Sequence, residues 1–250
     1  MTKSMAKFLL GCLLTVAAAQ AMAQELKIAR SSDEYPPNEM HVDGKLTGLH
    51  IETVEAVAAK LGWKVKWQEL PWLRAQKCVE DRECDAITYI SPSAEREKWA
   101  VFLPGNVLSK VEMHFMVHKA DADKTSYKGN VGDYLAERTV VTQSGFNYGP
   151  EVAKAKKYEV KNIFTMASLI AEKRNEVAVI TLDDFLGLKG KPFFDQLALL
   201  NPPVWESKSF IAFAKTPPGT EAGNKFQTAF AEFKKTREYQ ALLTRFKPNP

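Results

Sequence analysis

Three polar side chains close together in the chain, Ser91, Ser93 and Arg96, have the chemistry to hold an anion. An arginine guanidinium is a planar fork of donors that matches a carboxylate in two dimensions, and neighbouring hydroxyls add single donors. The segment that must position them, 85–99, reads DAITYISPSAEREKW. Ala86, Ile87 and Ile90 give a strand an apolar body, Pro92 ends its ladder, and Ser93 can cap a helix whose first turn carries Glu95. The polar groups therefore gather at the carboxyl end of a strand, where open α/β sheets bind ligands. On spacing alone, a surface turn with a solvated arginine is the plain alternative.

The flanking elements read as α/β. Leu26 and Ile28 alternate with Lys27 and Ala29 in a first strand, which runs into the polar loop Ser31-Ser32-Asp33-Glu34-Tyr35-Pro36-Pro37. After a turn at Asp43-Gly44-Lys45, apolar residues at helical spacing (Ile51, Val54, Ala58, Leu61) predict a helix over 46–62 that stops at Gly62. Trp63, Val65 and Trp67 then alternate with lysines and a glutamine as a half-exposed strand, completing a βαβ unit with a parallel pair. Pro71 opens a helix over 72–81. Farther on, Val111, Met113, Phe115 and Val117 mark a long strand, and 139–142 and 177–182 mark shorter ones. Thr165 is placed to cap a helix containing Leu169 and Ile170, and 221–246 reads as a closing helix with Phe226, Phe230 and Phe233 on one face. His114 and His118 fall on the long strand about 13 Å apart, too far to share one metal.

Residues 1–23 read as a cleavable signal peptide: Lys3 and Lys7, an apolar run from Phe8 to Ala19, and Ala21-Met22-Ala23 as a small-x-small site. A retained anchor would need a run of roughly 18 apolar residues, and Leu9-Leu10-Gly11-Cys12 as a lipoprotein box has too little apolar sequence before it. Removing that segment leaves 227 residues, enough for two compact α/β lobes, and lowers the formal charge from +4 to +2. The remaining cations are interleaved with acids, which gives no support to nucleic-acid binding. Cys78 and Cys84 are then the cysteines left in an exported chain, and a disulfide between them is the expectation; a redox or metal pair would want C-x-x-C spacing and further ligands.

The segment around Arg96 resembles the ligand-binding turn of the family 3 extracellular solute-binding proteins, periplasmic receptors for polar amino acids that feed ABC importers. In that pattern a strand leads to a small hydroxyl residue and a run ending in Glu-Arg or Lys-Arg, whose arginine holds the ligand's α-carboxylate. Ser91 and Arg96 match these positions, while Tyr89 stands where a smaller polar residue is usual. The resemblance recurs in order along nearly the whole chain after residue 23. It implies that the first loop reaches the ligand through Ser32, Tyr35 or Glu34, and that Trp72, in Pro71-Trp72-Leu73-Arg74, lies close to the cleft. It also implies a contact from Asn147 in Gly145-Phe146-Asn147-Tyr148-Gly149. At 181–184, Thr181 or Asp183 would take the position of an ammonium-binding acid, with Asp184 capping the next short helix.

The implied fold is the two-lobed, type II periplasmic-binding-protein-like α/β fold, each lobe a mostly parallel sheet flanked by helices. Lobe 1 would comprise 24–116 and 212–250, lobe 2 would comprise 117–211, and two crossing strands would join them. The implied function is capture of a small carboxylate-bearing solute, most simply an amino acid or related compound, by a periplasmic monomer that closes around it and docks on an ABC permease. No cofactor is expected. A lyase-like enzyme on the same fold would use Glu34 or Asp183 as its acid, and a sensory module would use the same closure to signal to a membrane partner. The sequence has no G-x-S-x-G elbow, phosphate loop or H-E-x-x-H.

Overall fold

The computed structural model describes residues 24–247. The expected signal peptide, with its cleavage site and Cys12, lies outside the described residues. Strand β1 (Glu25–Ser31) lies between β4 (Lys64–Leu70) and β5 (Ala86–Ile90), and both pairings are parallel. Helix α1 (Leu49–Lys60) makes the crossover to β4, and α2 (Trp72–Glu80) the crossover to β5. Every residue of β5 is buried, as its nearly unbroken apolar run requires of a strand covered on both faces.

Two long strands carry the sheet from one half of the molecule to the other. β7 (Val107–His118) and β12 (Trp205–Ala214) run antiparallel, from Val107 opposite Phe210 to Met113 opposite Trp205. β12 also pairs with β5, and β7 with β10 (Val177–Thr181), beyond which β8 (Thr139–Gln143) and β9 (Lys156–Val160) continue in parallel. Each half has its own cores. In lobe 1, Ile28, Val54, Phe213, Phe226 and Phe230 pack together under α7 (Pro217–Phe233). In lobe 2, Phe115, Tyr134, Val140 and Val177 form one core, and Met116, Met166, Ile170 and Ile180 form another around α5 (Ile163–Ala171). β7 supplies Leu108 to the first lobe and Met113 to Val117 to the second, so the strand itself crosses between them.

Four local expectations are corrected. The helix predicted over 46–62 begins at Leu49, because Asp43 and Gly44 both take positive φ and turn a hairpin of β2 (Met40–Val42) and β3 (Lys45–Thr47). Ser93 does accept the Arg96 N–H at 3.2 Å, but the helix it starts is one 3₁₀ turn, Arg96–Lys98, since β6 (Ala100–Val101) is drawn off to pair with β12. The cap of α5 is Asn162, whose side chain accepts from the Thr165 N–H at 2.9 Å. The C-terminal helix is two: α7 and α8 (Arg237–Arg245), the second capped by Thr236, which accepts the N–H of Tyr239. The Cys78–Cys84 disulfide is present and fixes the end of α2 to the chain entering β5.

Candidate functional site

Arg96 is 6% exposed and sits at the seam between the lobes. Its Nε donates to Gln76 Oε1 at 3.2 Å, Nη1 to the Ser91 carbonyl at 2.7 Å, and Nη2 to the Gly145 carbonyl at 2.7 Å. Gln76 and Ser91 belong to lobe 1 and Gly145 to the turn after β8 in lobe 2. All three partners are neutral oxygens, and no carboxylate of the described residues forms an ion pair with the guanidinium. Burial lowers its pKa to about 10, against a smaller opposing pull from Glu95, so it remains a cation at neutral pH. Trp72 flanks it, with the guanidinium 5.6 Å from the ring centroid.

The Gly145 carbonyl is a meeting point of the two lobes. It also accepts from Trp72 Nε1 at 2.9 Å and from Gln76 Nε2 at 3.4 Å. The Gly145 φ of 76° lies in the left-handed region, which favours glycine, and the exposed Leu73 side chain packs over the position a Cβ would take. Two residues on, Asn147 Nδ2 donates back across the seam to the Pro92 carbonyl at 3.0 Å, while its Oδ1 accepts the Gly149 N–H.

Behind Arg96 the seam is aromatic. Tyr35 and Tyr89 stack with centroids 4.6 Å apart and planes 10° apart, and Phe146 leans on both Tyr35 and Trp72. Tyr89 reaches across to lobe 2, where its hydroxyl donates to Asp184 Oδ1 at 3.0 Å. Its φ of 53° is unusual for a bulky residue, a strain of the kind that gathers at functional sites. Asp184 lies in the first turn of the short helix α6 (Leu182–Gly187), capped by Thr181, whose Oγ1 accepts the Asp184 N–H. Burial raises the Asp184 pKa to about 7, partly offset by the bonds from Thr181 and Tyr89. On the far side of Tyr35, Gln143 Nε2 donates to Asp33 Oδ2 at 3.0 Å and to the Tyr35 hydroxyl at 3.3 Å, again between lobes.

A small cavity of about 20 Å3, room for a single water, lies among these groups. Of the residues expected from sequence, Trp72, Tyr89, Ser91, Arg96, Asn147 and Thr181 line it together. Val111, Met113 and Phe146 add apolar wall, and Ser209 of β12 adds a hydroxyl that is buried without a hydrogen-bond partner. Two wider recesses flank the seam. One, of about 400 Å3, is bordered by Arg96, Ser93, Gly145 and Asn147; the other, of about 470 Å3, by Tyr89, Thr181, Asp183 and the crossing strands.

The remaining expected residues stand apart from the cavity. Tyr35 backs Tyr89 rather than lining it. Asp183 borders the larger recess and accepts from Asn38 Nδ2 at 2.9 Å. Ser32 is exposed, its N–H given to the Leu70 carbonyl, and Glu34 is exposed and bonded to His41. Ser91 meets Arg96 through its carbonyl oxygen. Sequence reading missed Gln76, Asp184 and Ser209. The helix start at Thr181 was the signal for Asp184, but a capping role hides that its side chain turns inward to Tyr89. His114 is held by the Leu200 carbonyl and Glu112, and among the described residues no cluster of side chains has the makings of a metal site.

The fold is shared with solved structures at low sequence identity. An ancestral arginine-binding protein bound to arginine matches with a TM-score of 0.75 and 21% identity, over 90% of this chain and 99% of that one. A histidine kinase sensor domain with similarity to periplasmic binding proteins matches with a TM-score of 0.78 and 17% identity, over 90% and 96%. The ancestral amino acid-binding protein AncCDT-1, a precursor of cyclohexadienyl dehydratase, matches with a TM-score of 0.72 and 19% identity, over 89% and 95%. No relative is found among curated proteins. Among the described residues no helix is long and apolar enough to cross a membrane. Residues 26–249 match the sequence model of one family over almost the whole described chain, and the chain belongs to that family, the bacterial extracellular solute-binding proteins, family 3.

Proposed function

We propose that this protein captures a small carboxylate-bearing solute, an amino acid or a related compound, between its two lobes and delivers it to an ABC importer. The observation that carries the reading is Arg96, a buried cation at the seam whose donors end on neutral oxygens. A buried charge is stable only with matched partners, and a carboxylate suits this fork better than a carbonyl does. A ligand carboxylate arriving between opened lobes would take the donors now given to Gly145 and Gln76. Trp72 and Phe146 would wall its body, with Asn147 closing from the second lobe. The lobes, 24–116 with 212–250 and 117–211, would hinge on the crossing strands. The protein would act as a periplasmic monomer, freed of residues 1–23, with a permease as its membrane partner.

The enzyme reading has weaker support, because Glu34 is exposed and bonded to His41, and Asp183 is engaged by Asn38. A sensor would share the same binding step, as the likeness to a histidine kinase sensor domain allows.

A thermal-shift panel of amino acids, organic acids and sugars on refolded, ligand-stripped protein tests the proposal. A ligand at 100 times its Kd stabilises by about 2.7 kcal/mol. At least one carboxylate should raise the melting temperature, and small-angle scattering should show that ligand altering the radius of gyration. A sugar hit with no carboxylate hit would overturn the reading.

A further inference from the structure

We infer that the ligand of this site is a carboxylate without an α-ammonium group, a simple, oxo or hydroxy acid, and that Tyr89 sets this choice. The inference rests on the proposed binding of a carboxylate at Arg96 and narrows it.

The charge lining the small cavity is one-sided. Arg96 is the one charged residue that lines it; Ser91, Asn147, Thr181 and Ser209 are polar and neutral, and no Asp or Glu lines it. An amino acid would bring an ammonium group into this space, and a buried ammonium without an anion is strongly disfavoured. A monoanionic acid brings only the charge that Arg96 neutralises.

A buried acid, Asp184, is bonded to Tyr89, which lines the cavity where Asp184 does not. The tyrosine hydroxyl donates to Asp184 Oδ1 at 3.0 Å, so the hydrogen bond an ammonium would make is already made by the protein. Tyr89 is held there on three sides: by the stack on Tyr35, by His50 at 5.6 Å between centroids, and by Asp184 itself. The raised pKa of Asp184 fits the same picture, since a carboxyl that is half neutral at pH 7 is a poor counterion. Asp183 borders the outer recess, which Arg96 does not border, and is already bonded to Asn38.

A second observation points to a ligand group of another kind. The Ser209 hydroxyl is buried, 2% exposed, and unpartnered, and Ser209 lines the cavity with Thr181. A hydroxyl or oxo group on the bound acid would satisfy it where an ammonium would find no anion.

The test is isothermal titration of the ligand-stripped protein with matched pairs: L-leucine and isocaproate, L-phenylalanine and hydrocinnamate, L-alanine and propionate. The expected result is tighter binding of at least one deaminated acid than of its amino acid, by about tenfold or more. Tyr89→Ser should uncover Asp184 and reverse that preference, and the double variant Tyr89→Ser, Asp184→Asn should lose the gained amino acid. Wild type preferring an amino acid would overturn the inference and leave carboxylate binding standing. Wild type binding neither member of any pair would overturn the carboxylate reading as well. An unchanged preference in folded Tyr89→Ser would remove Tyr89 from the role, and the wild-type comparison stands whatever the variants do.

Discussion

Two buried arginines, one at the end of β1 and one after the neighbouring β5, have opposite electrostatic surroundings. Arg30 is fully buried, and its donors reach Glu39 Oε2 at 3.2 Å, Glu69 Oε2 at 2.6 Å and the Asp33 carbonyl at 2.9 Å. His50 lies beyond Glu39, 3.7 Å from its other oxygen. The cation is cancelled inside one lobe. Arg96 is nearly as buried, yet its partners are neutral and one of them belongs to the opposite lobe. The first arrangement fixes the β1 loop and needs nothing from outside. The second leaves a charge between the lobes with only neutral oxygens bonded to it, which is why the proposed function places a ligand's charge there.

The largest expected effect on folding comes from breaking the first arrangement. Arg30→Ala leaves the fully buried Glu39 without its cation and should cost about 3 to 5 kcal/mol in urea unfolding, because removing one side of a buried pair strands the other. Arg96→Ala removes hydrogen bonds to neutral oxygens and the contact with the Trp72 ring but strands no buried charge, and should cost less, about 1 to 3 kcal/mol. Equal losses would break the comparison.

Next in size is the disulfide. Replacing Cys78 and Cys84 by serine should cost about 2 kcal/mol. Because α2 carries both Trp72 and Gln76 against Arg96, the same variant should also bind its ligand more weakly. Calorimetric melting and titration of the one protein would separate the two effects, and a stability loss with unchanged affinity would show that α2 is held by its core contacts alone.

The last effect is a pH slope. Asp184 holds its proton up to about pH 7 when folded, against an ordinary value of 3.8. Between those values the folded chain carries a proton the unfolded chain has lost, so its contribution to stability is full below the lower value and disappears as pH rises through the upper one. Melting temperatures taken from about pH 5 to about pH 8 should therefore fall more steeply in wild type than in Asp184→Asn. Parallel curves would mean that Asp184 is ionised in the folded protein.

What could be read from the sequence was local. The apolar run of β5, the alternation in β7, the Pro71 entry to α2 and the cysteine pair each follow from neighbours a few residues apart, and each is in place. The positions brought by resemblance gathered where a strand end meets the seam, except Ser32 and Glu34, which face solvent, and Asp183, which borders an outer recess. The rest depends on docking across the chain. Tyr89 and Asp184 are 95 positions apart, and Gln143 and Asp33 are 110 apart, so no periodicity announces either pair. Asp184 looked like a helix cap because Thr181 and the short helix are legible while the direction of one side chain is not. The hairpin at 40–47 was missed for the reverse reason: its Asp43-Gly44 signal was read as a turn, but the short polar strands beside it carry no apolar alternation.

The central claim is that Arg96 is the cation a bound carboxylate uses, and calorimetric titration of wild type, Arg96→Ala and Arg96→Lys with the strongest carboxylate from the panel tests it most directly. Folded Arg96→Ala, confirmed by circular dichroism, should lose about 2 to 5 kcal/mol of affinity, since a carboxylate enclosed without its partner is left unpaired. Arg96→Lys keeps the charge but loses the planar fork, so it should also bind poorly. Folded Arg96→Ala binding that carboxylate as tightly as wild type would contradict the account.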